Sequence, residues 1–143
     1  MKTTPLLLLV VTLVGLLSGC ATQLNSNVTT GTNLSDVKKF HVVRLPKDER
    51  GVDRIIADRL NAMGKQATAG EKTAAPADID AIVTYQDKWM WDISMYMLEL
   101  NIQFRKPQSE VAIATGHSLR TSLVRKSPAE MVDEVITEIF KKR

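Results

Sequence analysis

The stretch AIVTYQDKWMWDISMYMLELNIQFR, residues 81–105, decides the fold. Its second half alternates. Leu98, Leu100, Ile102 and Phe104 face one way and Glu99, Asn101, Gln103 and Arg105 the other, as in a strand with one buried and one wet face. Ala81 to Trp91 is a β-type run of similar length, and Asp92-Ile93-Ser94 is a tight connection, so the two runs predict a hairpin. Lys106-Pro107-Gln108-Ser109-Glu110 has the composition of a turn and leads into a third strand, Val111 to about Leu123. On that strand Ala112, Ala114, Gly116 and Ser118 give one face of small residues, on which a helix can pack closely.

The sequence on either side supplies the helices. Ser127-Pro128-Ala129-Glu130 is a helix start, with a capping serine, a proline suited to the first turn and a glutamate that completes a capping box. Val132, Val135, Ile136, Ile139 and Phe140 then form an apolar stripe opposite Asp133, Glu134, Thr137 and Glu138. Upstream, Lys39 to Leu45 reads as a strand stopped by Pro46. Val52, Ile55, Ile56, Leu60 and Met63 line one face of a helix, flanked by Asp53, Arg54, Asp58 and Arg59 and ended by Gly64. Gln66 to Thr68 reads as a short strand and Ala69 to Asp78 as a loop. The order β-α-(β)-β-β-β-α predicts one α+β domain over residues 37–143, a mostly antiparallel sheet of about four strands with two helices packed on one face.

The amino-terminal part is of another kind. Lys2 precedes an unbroken apolar run from Leu6 to Leu17. A charged start, an apolar run of roughly a dozen residues and a small-residue end define a secretory signal peptide over residues 1–19, too short for a stable membrane span of about 20 residues. Residues 20–36 are rich in Thr, Asn, Ser, Gln and Gly and are expected to form a flexible polar tether, spanning at most about 50 Å taut and about 20–25 Å as a coil.

Composition excludes several functions. Cys20 is the only cysteine, so the chain has no internal disulfide, thiolate metal site or cysteine nucleophile. The formal charge of +3 includes Lys2, and the remaining charges of both signs are interspersed. That argues against nucleic-acid binding, and Lys141-Lys142-Arg143 suits the negative end of a helix dipole. His41 and His117 are the only histidines. No HExxH, GxSxG or Gly-rich phosphate loop accompanies them, and no cofactor is expected. His117 and Ser118, as strand neighbours, point to opposite faces and cannot form a dyad. Asp78, Asp80 and Asp92 suit loops and turns. Asp87 shares a face with Tyr85, Trp89 and Trp91, and there its carboxylate needs exposure or a partner.

The densest unusual feature is Trp89-Met90-Trp91-Asp92-Ile93-Ser94-Met95-Tyr96-Met97, which holds both tryptophans and three of the six methionines. Three readings compete. The cluster is a core at the hairpin end, or a partner-binding patch of Trp89, Trp91, Tyr96, Met95 and Met97. The third is soft thioether ligation of copper(I) by Met90, Met95 and Met97, which no other residue at the site supports.

Leu17-Ser18-Gly19-Cys20 resembles the lipobox of bacterial prolipoproteins. The resemblance implies that Cys20 is diacylated, becomes the first residue after cleavage and anchors the chain in a membrane. With Ala21 rather than aspartate after the cysteine, it implies the outer membrane, with the domain facing the periplasm. Phe40 to Arg143 resembles, in element order and in its strand, helix, Gly64 pattern, small periplasmic lipoproteins built as compact α/β sandwiches, which include domains similar to the amino-terminal domain of the Tol-system propeller protein and to the lipoprotein activators of peptidoglycan synthases. The expected function is that of a non-catalytic, lipid-anchored envelope lipoprotein that binds a protein partner or supports envelope assembly. The alternative is a cell-wall enzyme or small-ligand binder using a groove near Asp87.

Overall fold

Six strands form one mixed sheet that carries two helices, described by a computed structural model over residues 22–142. The elements are β1 (Gln23–Val28), β2 (Lys39–Val43), α1 (Val52–Ala62), β3 (Gln66–Gly70), β4 (Ala81–Asp92), β5 (Ser94–Arg105), β6 (Ala112–Leu119) and α2 (Pro128–Lys141). Short 3₁₀ turns lie at Lys72–Ala74 and Ser122–Val124. Across the sheet the order is β1-β6-β5-β4-β2-β3. The signal peptide and lipobox, Cys20 included, lie outside the described residues. No helix among the described residues is long and apolar enough to cross a membrane.

This architecture corrects the expected sheet. The protein is α+β, but the sheet has six strands rather than about four and is mixed rather than mostly antiparallel, because β2 runs parallel to both β3 and β4. A parallel pair needs a crossover, and α1 supplies it between β2 and β3. Side-chain periodicity locates such strands without stating their direction.

The tether is corrected too. Gln23–Val28 is the edge strand β1, antiparallel to β6 from Gln23↔Leu119 to Val28↔Ala114. Ladder bonds come from the backbone, so polar side chains do not prevent pairing where one strand face stays wet. Within β1 only Ser26 is buried, and its Oγ donates to the Glu138 carbonyl at 2.9 Å. Leu34, within the same polar segment, belongs to the core.

One face of the sheet holds that core. Phe40, Val42, Ala81, Val83, Tyr85, Leu100, Ile102 and Phe104 meet Ile56 and Leu60 of α1 and Met131, Val135, Ile136 and Ile139 of α2. Phe104 joins Phe40 edge-on at 5.2 Å to Phe140 at 5.9 Å between ring centroids. The small-residue face of β6 seats α2 as expected, and the Ser127–Glu130 capping box is formed. Asp53, expected on a polar flank, is fully buried, where its Oδ2 accepts from Arg44 Nε at 2.9 Å.

Candidate functional site

β4 and β5 pair along their whole length, from Ile82↔Arg105 to Asp92↔Ser94, but the register shifts once. Lys88 opposes Glu99 and the next pair is Trp89↔Met97, leaving Leu98 as the extra residue of a bulge. The slip turns Met97 inward and leaves Leu98 half-exposed, so the strict alternation read through Leu98 holds only from Glu99 onward. Sequence alone does not fix this, because a bulge reverses the faces of everything beyond it.

The expected patch of Trp89, Trp91, Tyr96, Met95 and Met97 divides between core and surface. Met97 is fully buried and Tyr96 nearly so, with the Arg125 guanidinium 5.0 Å from the Tyr96 ring centroid. Trp89 packs half-buried against the core, its indole N–H donating to Asp87 Oδ2 at 2.6 Å, with the Arg50 guanidinium 4.1 Å over its ring. Trp91 and Met95 stay on the surface, 69% and 48% exposed, beside Met90 at 45% and Ile93 at 90%. Met97 is sealed from Met90 and Met95 in this way, so the three thioethers do not present one metal site.

Ile93 was missed as a site residue. It forms the hairpin tip with φ 62°, a left-handed conformation that β-branched residues rarely adopt and that a turn normally gives to Gly, Asn or Asp. The signal was in the sequence as an isoleucine in a tight connection. Leu123, 84% exposed in the 3₁₀ turn after β6, was also missed. That turn folds against the hairpin, where Ser122 Oγ donates to Asp92 and Arg125 Nη1 to Ser94 Oγ at 2.9 Å.

The opposite, uncovered face of the sheet is polar. Glu99 accepts from Lys88 Nζ at 3.2 Å and from His117 Nε2 at 3.1 Å, while His117 Nδ1 meets Asn25 Nδ2 at 3.4 Å. The bond from Lys88 holds the Glu99 carboxyl below its usual range. Ser118 turns the other way, to Glu134, so it forms no dyad with His117. His41 is buried between Thr68 Oγ1 at 2.7 Å and the Glu71 carbonyl at 3.0 Å.

A depression of about 430 Å³ lies beside Asp87, lined also by Leu45, Gln86, Lys88, Glu99 and Asn101. The register places Lys88 opposite Glu99 and Asp87 opposite Leu100, sending the Asp87 and Glu99 side chains to opposite faces. They cannot share a proton or a metal there. Among the described residues no three His, Cys, Asp or Glu side chains are grouped to hold a metal ion.

Two further groups fix the loops around the hairpin. Asp48 accepts from Tyr85 Oη at 2.6 Å and from the Arg50 and Gly51 amides at 2.8 Å. Burial pushes the Asp48 carboxyl up, but these bonds outweigh it and hold it low, while burial and the same carboxylate push the Tyr85 phenol up. Glu134 accepts from Ser118 Oγ, from Arg120 through two nitrogens and from Lys126, tying α2 to β6 and to the segment after it.

No family model matches the sequence, and no curated protein matches it. Solved structures share the fold. PelC from Paraburkholderia phytofirmans, a dodecamer, superimposes with TM-scores of 0.59 and 0.61 in two crystal forms, at 11% and 10% identity, over 83% of this chain and 97% and 98% of PelC. A PDZ domain protein from Parabacteroides distasonis matches at a TM-score of 0.52 and 9% identity, over 84% of this chain and 36% of that one. At these identities the likeness is one of fold alone.

Proposed function

We propose that this chain is a lipid-anchored lipoprotein of the cell envelope, acylated at Cys20 and facing the periplasm from the outer membrane, and that it works by contact rather than by turnover. The observation that carries this reading is the gathering of Trp91, Ile93, Met90 and Met95 on the surface of the hairpin end, where a folded domain gains nothing by exposing them. Bonds made inside the fold already engage Asp87, Glu99, His117 and His41. The protein partner best supported is a second copy of the chain. β1 and β3 end the sheet, and an edge strand offers unpaired backbone groups to another chain. PelC, with the same fold, is a dodecamer.

The test begins with Cys20→Ala in cells. The wild-type chain is expected in the membrane fraction with the mass of an acylated polypeptide that begins at Cys20, and the variant is expected without acyl mass. Identical mass and fractionation for the two would refute the anchor. Light scattering of the detergent-extracted wild-type protein is expected to give a multiple of the protomer mass, and a monomer would refute self-assembly.

A further inference from the structure

The strand directions place the proposed anchor and the exposed apolar residues at one end of the molecule. Gln23 of β1 is in register with Leu119 of β6, Leu119 with Glu99 of β5, and Glu99 with Lys88 of β4. These four residues form one row across the sheet, about 14 Å from first to last at a spacing of about 4.8 Å per strand. β4 rises past this row to Asp92, about 13 Å further at about 3.3 Å per residue. β1 descends from the row, so the chain before Gln23 leaves on the same side. Cys20 is three residues before Gln23, a reach of at most about 11 Å. The chain that leads back to Cys20 and the hairpin tip thus leave from the same end of the sheet.

That end also collects the exposed apolar side chains. Of the large hydrophobic residues exposed among those described, Trp91, Ile93, Met90, Met95, Leu123 and Leu24 all lie at or beyond this end, and only Val111, in the turn before β6, lies at the other. Ile93 fills the positive-φ position of the tight connection with its side chain 90% exposed, so no packing within the domain calls for an isoleucine there. Arg125, bonded to Ser94 and Ser122 and stacked on Tyr96, adds a guanidinium held by neutral partners beside the tip. Tryptophan flanked by apolar and cationic side chains is the composition that settles at the headgroup level of a bilayer. Asp92 at the base of the tip limits the depth to that level, since a carboxylate is excluded from hydrocarbon.

We infer that this end is a membrane-contact face: the hairpin tip and the Leu123 turn seat in the interface of the leaflet that holds the acylated Cys20, giving the domain a fixed orientation with its sheet edges free for neighbours. The inference rests on the reading of Cys20 as acylated. Only Ala21 and Thr22 separate Cys20 from the sheet, because β1 occupies the segment expected to be a tether, and the short link holds the tip to the surface the lipid enters.

The experiment uses the full acylated protein reconstituted in vesicles of phosphatidylethanolamine and phosphatidylglycerol in equal parts, with lipids brominated near the headgroup as quenchers. Trp89→Phe leaves Trp91 as the only indole, and Trp91→Phe leaves Trp89. Trp91 emission is expected to shift to the blue on reconstitution and to be quenched at least threefold more than that of Trp89, and Ile93→Asp is expected to abolish the difference. The difference between wild type and Trp91→Phe gives the same readout should Trp89→Phe fail to fold. Acylated, vesicle-bound protein whose Trp91 is quenched no more than Trp89 overturns the membrane face and leaves the anchor standing. A photoreactive group at position 91 that labels protein in intact envelopes, with no lipid adduct, overturns it in favour of a protein-binding tip. A mass without acyl chains overturns the anchor and this inference with it.

Discussion

Gly116→Ala tests the closest helix–sheet contact of the fold. A Cβ at this position would lie 2.7 Å from Val135 Cγ1, 2.8 Å from Ile139 Cγ1 and 2.9 Å from Ile139 Cδ1. A relaxed contact between carbon atoms is about 3.5–4.0 Å, so the new methyl is short by roughly 0.6–1.3 Å against three atoms at once. Val135 and Ile139 are fully buried and cannot swing into solvent, so α2 must lift or both side chains must leave their preferred rotamers. Overpacking of this kind costs about 1–3 kcal/mol. Gly116 has no positive φ, so alanine meets no backbone strain and recovers about 0.4–1 kcal/mol by restricting the unfolded chain. The net is a loss centred near about 1.3 kcal/mol, within about 0–2.6 kcal/mol, and the central value corresponds to about 4–6 °C in Tm for a domain of this size. Urea unfolding of wild type, Gly116→Ala, Val135→Ala and the double variant measures it. Removing the Val135 methyls makes room for the new one, so the double variant is expected to be more stable than the sum of the singles by about 1 kcal/mol. A neutral or stabilising Gly116→Ala, with strictly additive effects, would show that α2 does not sit on β6 as described.

Met97→Ala is expected to cost about 2–4 kcal/mol and Trp91→Ala less than about 0.5 kcal/mol in the same assay, because the bulge turns the first into the core while the second stands on the same face beyond the core, at the hairpin end. Comparable losses would refute the register. Burial raises the Glu134 carboxyl, but the bonds from Arg120, Lys126 and Ser118 outweigh it and hold its pKa low, so its stabilisation is present above about pH 4.5 and is lost as pH falls through the folded-state value. Glu134→Gln should therefore cost about 2 kcal/mol at pH 7 and flatten the acid limb of the stability curve, and an unchanged acid limb would remove Glu134 from that role. Ser127→Ala breaks the capping box and should cost about 1 kcal/mol by thermal unfolding, whereas Ser127→Asp should retain most of the stability.

How far the sequence was legible differs from element to element. The helix at Ser127 was readable because capping depends on residues three apart, and the close seat of α2 because small residues recurred at every second position of β6. β1 was not readable. Its pairing is made by backbone groups that every residue carries, and Gln23, Asn25 and Asn27 lie on the uncovered face while Ser26 alone is buried. Asp53 looked like a surface residue on helical spacing alone; Arg44, nine positions away and brought in by the turn after β2, makes its burial tolerable. The hairpin cluster was found, but which residues of β5 share a face with Trp89 and Trp91 depends on one extra residue at Leu98 that no periodicity announces, and which of them are covered depends on how far along the hairpin the core reaches.

The sequence by itself determined the α+β class, the two amphipathic helices, the hairpin and the resemblance of Leu17-Ser18-Gly19-Cys20 to a lipobox, since each follows from neighbours within a few positions. The tertiary structure alone decided strand direction, the six-strand order, the bulge and the burial of Met97, because these come from pairings between residues tens of positions apart. It also decided that the chain leaves β1 at the hairpin end. That follows from three successive antiparallel pairings, each reversing the direction of the last, and no local pattern in the sequence records how many reversals separate residue 23 from residue 88.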